Sequence, residues 1–209
     1  MEAHETHETI HEVAHHGHGD DHHEKHGGGK ASRNRRIAVL ISILAALLAI
    51  SEAGGSSAQN TSVSANIEAS NLWAFFQAKT IRMTTMRTAA DAMETMASAD
   101  LPPEKAAAFA KRVGDWRAAA SRYDSELETG EGRKELAAKA KAAETRRDRA
   151  LAAYHMFEYG SAALQIAIVL SSAAVVTGTI ALAFAAGGLG MVGIAFAALG
   201  WFAPTLLHL

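Results

Sequence analysis

Seven histidines, His4, His7, His11, His15, His18, His22 and His26, recur at spacings of three or four residues near the N-terminus. Imidazoles one helical turn apart share a face, and in their neutral form they ligate borderline metals such as zinc, nickel or copper. His4, His7, His11 and His15 are therefore the candidate metal ligands, with Glu5, Glu8 and Glu12 beside them. Gly17, Gly19 and the Gly27-Gly28-Gly29 run interrupt the stripe after His16. Weak, overlapping sites are expected, not a closed four-ligand cage. The same tail responds to pH. Residues 1–29 hold seven acidic side chains against one lysine, and full protonation of their nine histidines takes the side-chain charge from -6 to +3. Imidazole titrates near pH ~6.5, so part of that swing is physiological.

Other chemistry is sparse. The chain has no cysteine, which excludes disulfides, thiolate metal sites and cysteine nucleophiles. Gly188-Leu189-Gly190-Met191-Val192-Gly193 matches a dinucleotide-binding glycine pattern, but no strand precedes it and no acidic residue follows. No phosphate-binding loop, His-Glu metalloprotease helix or serine elbow is present. A net charge of -2 gives no reason to expect a nucleic-acid partner. The expectation is a non-enzymatic protein with no catalytic residues and no cofactor, apart from weak zinc, nickel or copper binding by the tail.

The elements that carry these residues are set by a very uneven distribution of charge. Residues 160–207 contain no Asp, Glu, Lys or Arg, and 48 such residues supply two membrane spans and a turn. Clustered glycines punctuate apolar runs, which predicts a turn near 186–190 between spans at about 161–185 and 189–207. Small residues at four-residue spacing, Ala174 with Gly178 and Gly193 with Ala197, permit close helix approach. A third apolar stretch, Ile37 to Ser51, follows Lys30, Arg33, Arg35 and Arg36. It reads as an uncleaved signal-anchor helix, with Glu52 at the interfacial end. The basic group abutting this span places the N-terminus in the cytoplasm; Arg146, Arg147 and Arg149 oppose that vote from a long loop, where charges count less.

Between the spans, apolar residues alternate spacings of four and three. One seam runs Leu72, Phe76, Lys79, Met83, Met86, Ala90, Met93 and Ala97; a second runs from Phe109 to Leu127 and a third from Leu136 to Phe157. Asp100-Leu101-Pro102-Pro103-Glu104 supplies a stop and a restart. A chain that leaves a membrane must return to it, so Gly130–Gly132 is expected to be an in-line break in one returning arm. The predicted fold is an all-α membrane protein with three transmembrane helices and a long antiparallel, coiled-coil-like hairpin between the first and second. Its parts are a His-rich tail (1–29), a basic flank and first span (30–58), an extramembrane hairpin with its tip near 100–104 (59–159), and a transmembrane pair (160–209). Leu72-Trp73-Ala74-Phe75-Phe76 is richer than one seam requires and suits either a neighbouring subunit or the headgroup region.

The run Ser64-Ala65-Asn66-Ile67-Glu68-Ala69-Ser70-Asn71-Leu72-Trp73-Ala74-Phe75-Phe76-Gln77-Ala78-Lys79-Thr80-Ile81-Arg82, followed by Thr88-Ala89-Ala90-Asp91, resembles a bacterial membrane-protein family. That family is catalogued as a domain of unknown function, number four-three-three-seven. The order of elements is also similar, so the resemblance covers nearly the whole chain. It implies a multi-pass protein of the bacterial inner membrane and no particular activity. The functional expectation is a scaffold or assembly protein in the bilayer, homo-oligomeric, with an unknown protein partner. The alternative is a metal-handling protein whose tail binds divalent cations.

Overall fold

The computed structural model describes residues 27–97 and 102–207. Among the described residues four helices follow one another: α1 (Gly27–Met96), α2 (Pro103–Asp124), α3 (Arg133–Thr177) and α4 (Ile180–Phe202). No strand occurs among the described residues. Three of the helices, α1, α3 and α4, carry windows long and apolar enough to cross a membrane, and only 22%, 33% and 17% of those windows is buried within the chain. So much outward apolar surface belongs in hydrocarbon. The chain is an all-α, multi-pass membrane protein.

α1 is a single helix of 70 residues. It passes from the first span into the extramembrane arm without interruption, so no structural boundary falls at residue 58. α2 and α3 lie end to end along α1, meeting each other only at their joint. The pairing is antiparallel throughout. From the tip to the far side of the membrane, Glu94 meets Arg117, Lys79 meets Glu131, Trp73 meets Glu144, Glu68 meets Arg146, Gly54 meets Phe157, and Leu44 meets Leu164. α2 begins with Pro103 in its first turn, where the missing N–H costs nothing.

Small residues dominate the seam. Ala65, Ala69, Ala90, Ala120, Ala140 and Ala143 are all buried, with Met83, Val113, Leu136 and Met156 filling the wider gaps. An alanine methyl contributes about 0.8 kcal/mol on burial, so the arms are held by many small increments along their length. Lys79, the polar interruption in the seam, finds the Tyr123 ring 5.6 Å away and Glu131 at 3.8 Å. Trp73 turns inward, donating Nε1–H to Glu144 Oε1 at 2.9 Å and meeting the Phe76 ring edge to face. Leu127 departs from the expected second seam: α2 has ended at Asp124, and this side chain is exposed.

The transmembrane pair corrects the expected turn near 186–190. α3 ends at Thr177 and α4 starts at Ile180, so the reversal is Gly178-Thr179. Gly178 adopts φ +70°, the left-handed conformation that closes a helix, and its N–H bonds to Ala174 O at 3.0 Å. Gly187-Gly188-Leu189-Gly190 lies inside α4. Glycine breaks helices in water because its backbone exchanges helical bonds for hydration. In hydrocarbon no such exchange is available, and the helix continues. Gly193 and Ala197 of α4 do sit against Gly160 of α3, as their spacing suggested: a Cβ on Gly160 would lie 3.0 Å from Gly193 O and 3.2 Å from Ala197 N. The apolar part of α3, residues 160–177, rises about 27 Å, and α4 about 34 Å, each long enough for a hydrocarbon core.

The break between α2 and α3 leaves the arm's direction unchanged. Gly130 has φ +64°, and Lys139 Nζ donates to its carbonyl at 2.8 Å. Glu135, in the first turn of α3, receives the Ser125 hydroxyl at 2.6 Å and the Glu126 N–H at 3.2 Å. Asp124, the last residue of α2, accepts from Arg133 at 2.7 Å and Lys134 at 2.9 Å. Each side of the joint thus supplies a carboxylate to the other. The Ser125 hydroxyl lowers the Glu135 pKa, and the Lys134 ammonium, helped by Arg133, lowers that of Asp124.

Candidate functional site

His4, His7, His11 and His15 lie outside the described residues. Within them, His155 on α3 stands 3.5 Å from Glu158, and no group of three or more His, Asp or Glu is placed to hold a metal ion among the described residues. Two glycines of the pattern 188–193, Gly190 and Gly193, are intramembrane packing positions. A Cβ on Gly190 would meet Leu44 Cδ2 at 2.7 Å, and one on Gly193 would meet Leu164 Cγ at 2.7 Å. No room for a dinucleotide phosphate exists where those side chains already touch the backbone.

Two features stand out from the rest of the molecule. The first is a polar cluster where α1 and α3 enter the bilayer. Ser51 is fully buried; its Oγ donates to Phe157 O at 3.2 Å and accepts from Ser161 Oγ at 3.1 Å. One position further on, Glu52 accepts from Gln165 Nε2 at 3.4 Å. Hydrogen bonds between spans fix helix register because the alternative is an unpaired polar group in lipid. The contacts of the adjacent Ser51 with Phe157 and Ser161 set Glu52 near the start of the uncharged part of α3, which suits an interfacial carboxylate.

The second feature is the outward face of the α1 arm. Ile67, Ala74 and Ile81 recur at intervals of seven, with Val63, Phe75 and Ala78 beside them, and all six are exposed. Phe75 is 62% and Ile81 67% exposed. This stripe lies opposite the Ala65–Ala69–Met83 seam. The register positions Asn60, Ser64, Ile67, Asn71, Ala74, Ala78, Ile81 and Thr85 carry no charge, while Phe75 flanks this row with Glu68 and Arg82 seven residues to either side of it. The rich Leu72–Phe76 cluster is thereby divided: Trp73 and Phe76 serve the hairpin, and Phe75 faces away from it. Because α1 is unbroken, Trp73 stands roughly 31 Å along the helix from Glu52. That distance removes it from the headgroup region, and its contacts with Glu144 and Phe76 lie within the hairpin. The first seam drew attention to the inner face alone; the seven-residue recurrence of Ile67, Ala74 and Ile81 was the available signal for the outer one.

The family model described as a domain of unknown function (DUF4337) matches residues 33–203. No curated protein and no solved structure shows significant similarity to the chain.

Proposed function

The chain belongs to the DUF4337 family, and from that premise we propose that it is a non-enzymatic scaffold of the bacterial inner membrane that assembles with further copies of itself. The exposed apolar residues Val63, Ile67, Phe75 and Ile81 on the outer side of α1 carry this reading. They sit on an arm whose residues 56–96 extend about 60 Å, beyond the reach of the bilayer. Each large side chain in the stripe gains about 1.5–3 kcal/mol when fully covered. The absence of charge at the heptad positions means that two such faces meet without like-charge repulsion, which favours a second copy as the occupant. A protein client would dock on the same or an adjoining face of the assembled arms.

The proposed orientation has the N-terminus in the cytoplasm. Lys30, Arg33, Arg35 and Arg36 lie in a stretch, residues 25–51, without Asp or Glu and directly abut the first span. At the other end Arg146 pairs with Glu68 and Arg147 with Asp148. The hairpin then stands on the extracytoplasmic side. Metal handling by His4, His7, His11 and His15 remains the second reading, supported by their helical spacing alone.

Native mass spectrometry of the full-length protein in nanodiscs tests the scaffold. The wild type should give dimers or higher oligomers. The triple variant Ile67→Asp, Phe75→Asp, Ile81→Asp should give monomers of unchanged helix content. A wild type that is monomeric at every concentration, and that retrieves no partner after cross-linking in native membranes, would remove the reading.

A further inference from the structure

A cavity of about 320 Å³ opens where α4 ends, between α1 and α3. Its floor is apolar: Phe157, Gly200, Trp201 and Pro204 line it. Its rim is cationic and hydroxylated, with Arg146, Arg149, Ser57 and Thr61. The floor exists because two glycines concede space to one ring. A Cβ on Gly54 would lie 2.8 Å from the Phe157 ring, and one on Gly200 3.0 Å from it. Trp201 then meets Phe157 edge to face at 5.5 Å, and the residue is 58% exposed.

Depth defines the environment. α4 is apolar to its last residue, Phe202, and tryptophan beside such an end belongs at the lipid–water boundary. Arg149 lies eight residues from Phe157 on α3, about 12 Å further from the bilayer centre. Arg149 nevertheless lines the same cavity as Phe157 and Trp201. Arg149 is exposed and makes no hydrogen bond or ion pair among the described residues. Arg146 commits one terminal nitrogen to Glu68 and keeps the others. Above the rim, a second groove of about 710 Å³ shares Ser57, Thr61 and Arg146 and continues along Ser56, Asn60 and Ser64. Glu68, at its upper end, is neutralised by Arg146.

We propose that this cavity is a binding site for the headgroup of an anionic phospholipid with hydroxyls on its headgroup. The phosphate lies between Arg149 and the free side of Arg146, where bidentate guanidinium bonds are available. The headgroup hydroxyls extend into the Ser56–Asn60–Ser64 groove. The glycerol and first acyl carbons rest on Phe157 and Trp201. A soluble phosphate would use the arginines alone and leave the apolar floor without a role, so the occupant is drawn from the membrane.

The test uses the full-length chain with Trp73→Phe and Trp116→Phe, leaving Trp201 as the only tryptophan, in phosphatidylcholine nanodiscs. About one-fifth of the lipid is replaced by chain-brominated phosphatidylglycerol or by chain-brominated phosphatidylcholine. The glycerol lipid should quench Trp201 with an apparent association about fivefold or more above the choline lipid, the contribution of one arginine near a membrane surface. Arg149→Gln should abolish that preference, while Arg36→Gln, at the opposite membrane face, should keep it. Native mass spectrometry of the otherwise unaltered protein gives an independent reading: retained phosphatidylglycerol should fall in Arg149→Gln. Equal quenching by both lipids, or equal loss in Arg149→Gln and Arg36→Gln, would overturn the site. Displacement of the lipid by millimolar inorganic phosphate in detergent would assign the pocket to a soluble anion instead.

Discussion

Four glycines in the C-terminal transmembrane pair separate two accounts of where the chain turns, and alanine substitution distinguishes them. If the helices reversed near 187–188, side chains there would disturb a turn. In the structure Gly187 and Gly188 are mid-helix, and a Cβ on either meets nothing within 4 Å. Gly187→Ala and Gly188→Ala should therefore be neutral or stabilising by up to about 1 kcal/mol, since alanine loses less backbone freedom than glycine. Gly193→Ala is different. Its Cβ would sit 2.7 Å from Leu164 Cγ, 3.1 Å from Leu164 Cδ2 and 3.0 Å from Gly160 O. Carbon contacts relax at about 3.5–4.0 Å, so α3 and α4 must separate by close to 1 Å or Leu164 must leave its rotamer. Leu164 is fully buried beside Leu44 and Ala167 and has little room to leave. The expected cost is about 1–3 kcal/mol. Gly178→Ala should also destabilise, by about 1 kcal/mol, because φ +70° is strained for any residue with a Cβ. Unfolding in mixed detergent–SDS micelles, followed by Trp201 fluorescence in the Trp73→Phe, Trp116→Phe background, orders the four variants. Damage at Gly187 or Gly188 equal to that at Gly193 would refute the packing argument and return the turn to the glycine cluster.

Two further predictions concern the joint and the tail. Asp124 and Glu135 titrate below their unfolded values, so their stabilisation is complete above the ordinary carboxylate range of pH ~4 and is lost as pH falls through the lowered folded values. Pepsin cleavage near exposed Leu127, normalised to an unstructured peptide, should rise steeply below pH ~4 in the wild type and be high already at pH ~5 in Asp124→Asn, Glu135→Gln; parallel profiles would contradict the mutual capping. Deleting residues 2–29 should leave membrane insertion and oligomer size unchanged, while zinc binding at neutral pH should weaken without being abolished in the His4, His7, His11 and His15 to alanine variant, because His16, His18, His22, His23 and His26 remain, and should weaken further on acidification through pH ~6.5. An oligomer that collapses on this deletion would put metal-linked assembly ahead of the scaffold.

The sequence alone determined that the chain is helical, that three segments enter a membrane, and that a hairpin stands between the first and second. Hydrophobicity is a local, additive property, and a charge-free run of residues 160–207 has only one cheap environment. The alternation of threes and fours likewise marks Met83, Ala90, Val113, Ala120, Ala140 and Ala143 as inward before any partner is known. Glycine has no such local meaning. Gly54, Gly178, Gly187 and Gly193 look alike in the sequence, yet one admits the Phe157 ring, one turns the chain, one faces open space and one seats Leu164. Each role depends on a residue distant in sequence, or on whether the surroundings are water or lipid. The same is true of Phe75 and Phe76, neighbours that α1 directs to opposite duties. The cavity at Arg149 was hidden for that reason: its lining comes from three helices whose alignment is set by the packing of Gly54 and Gly200 on Phe157, a contact that spans about a hundred residues in one direction and about forty in the other.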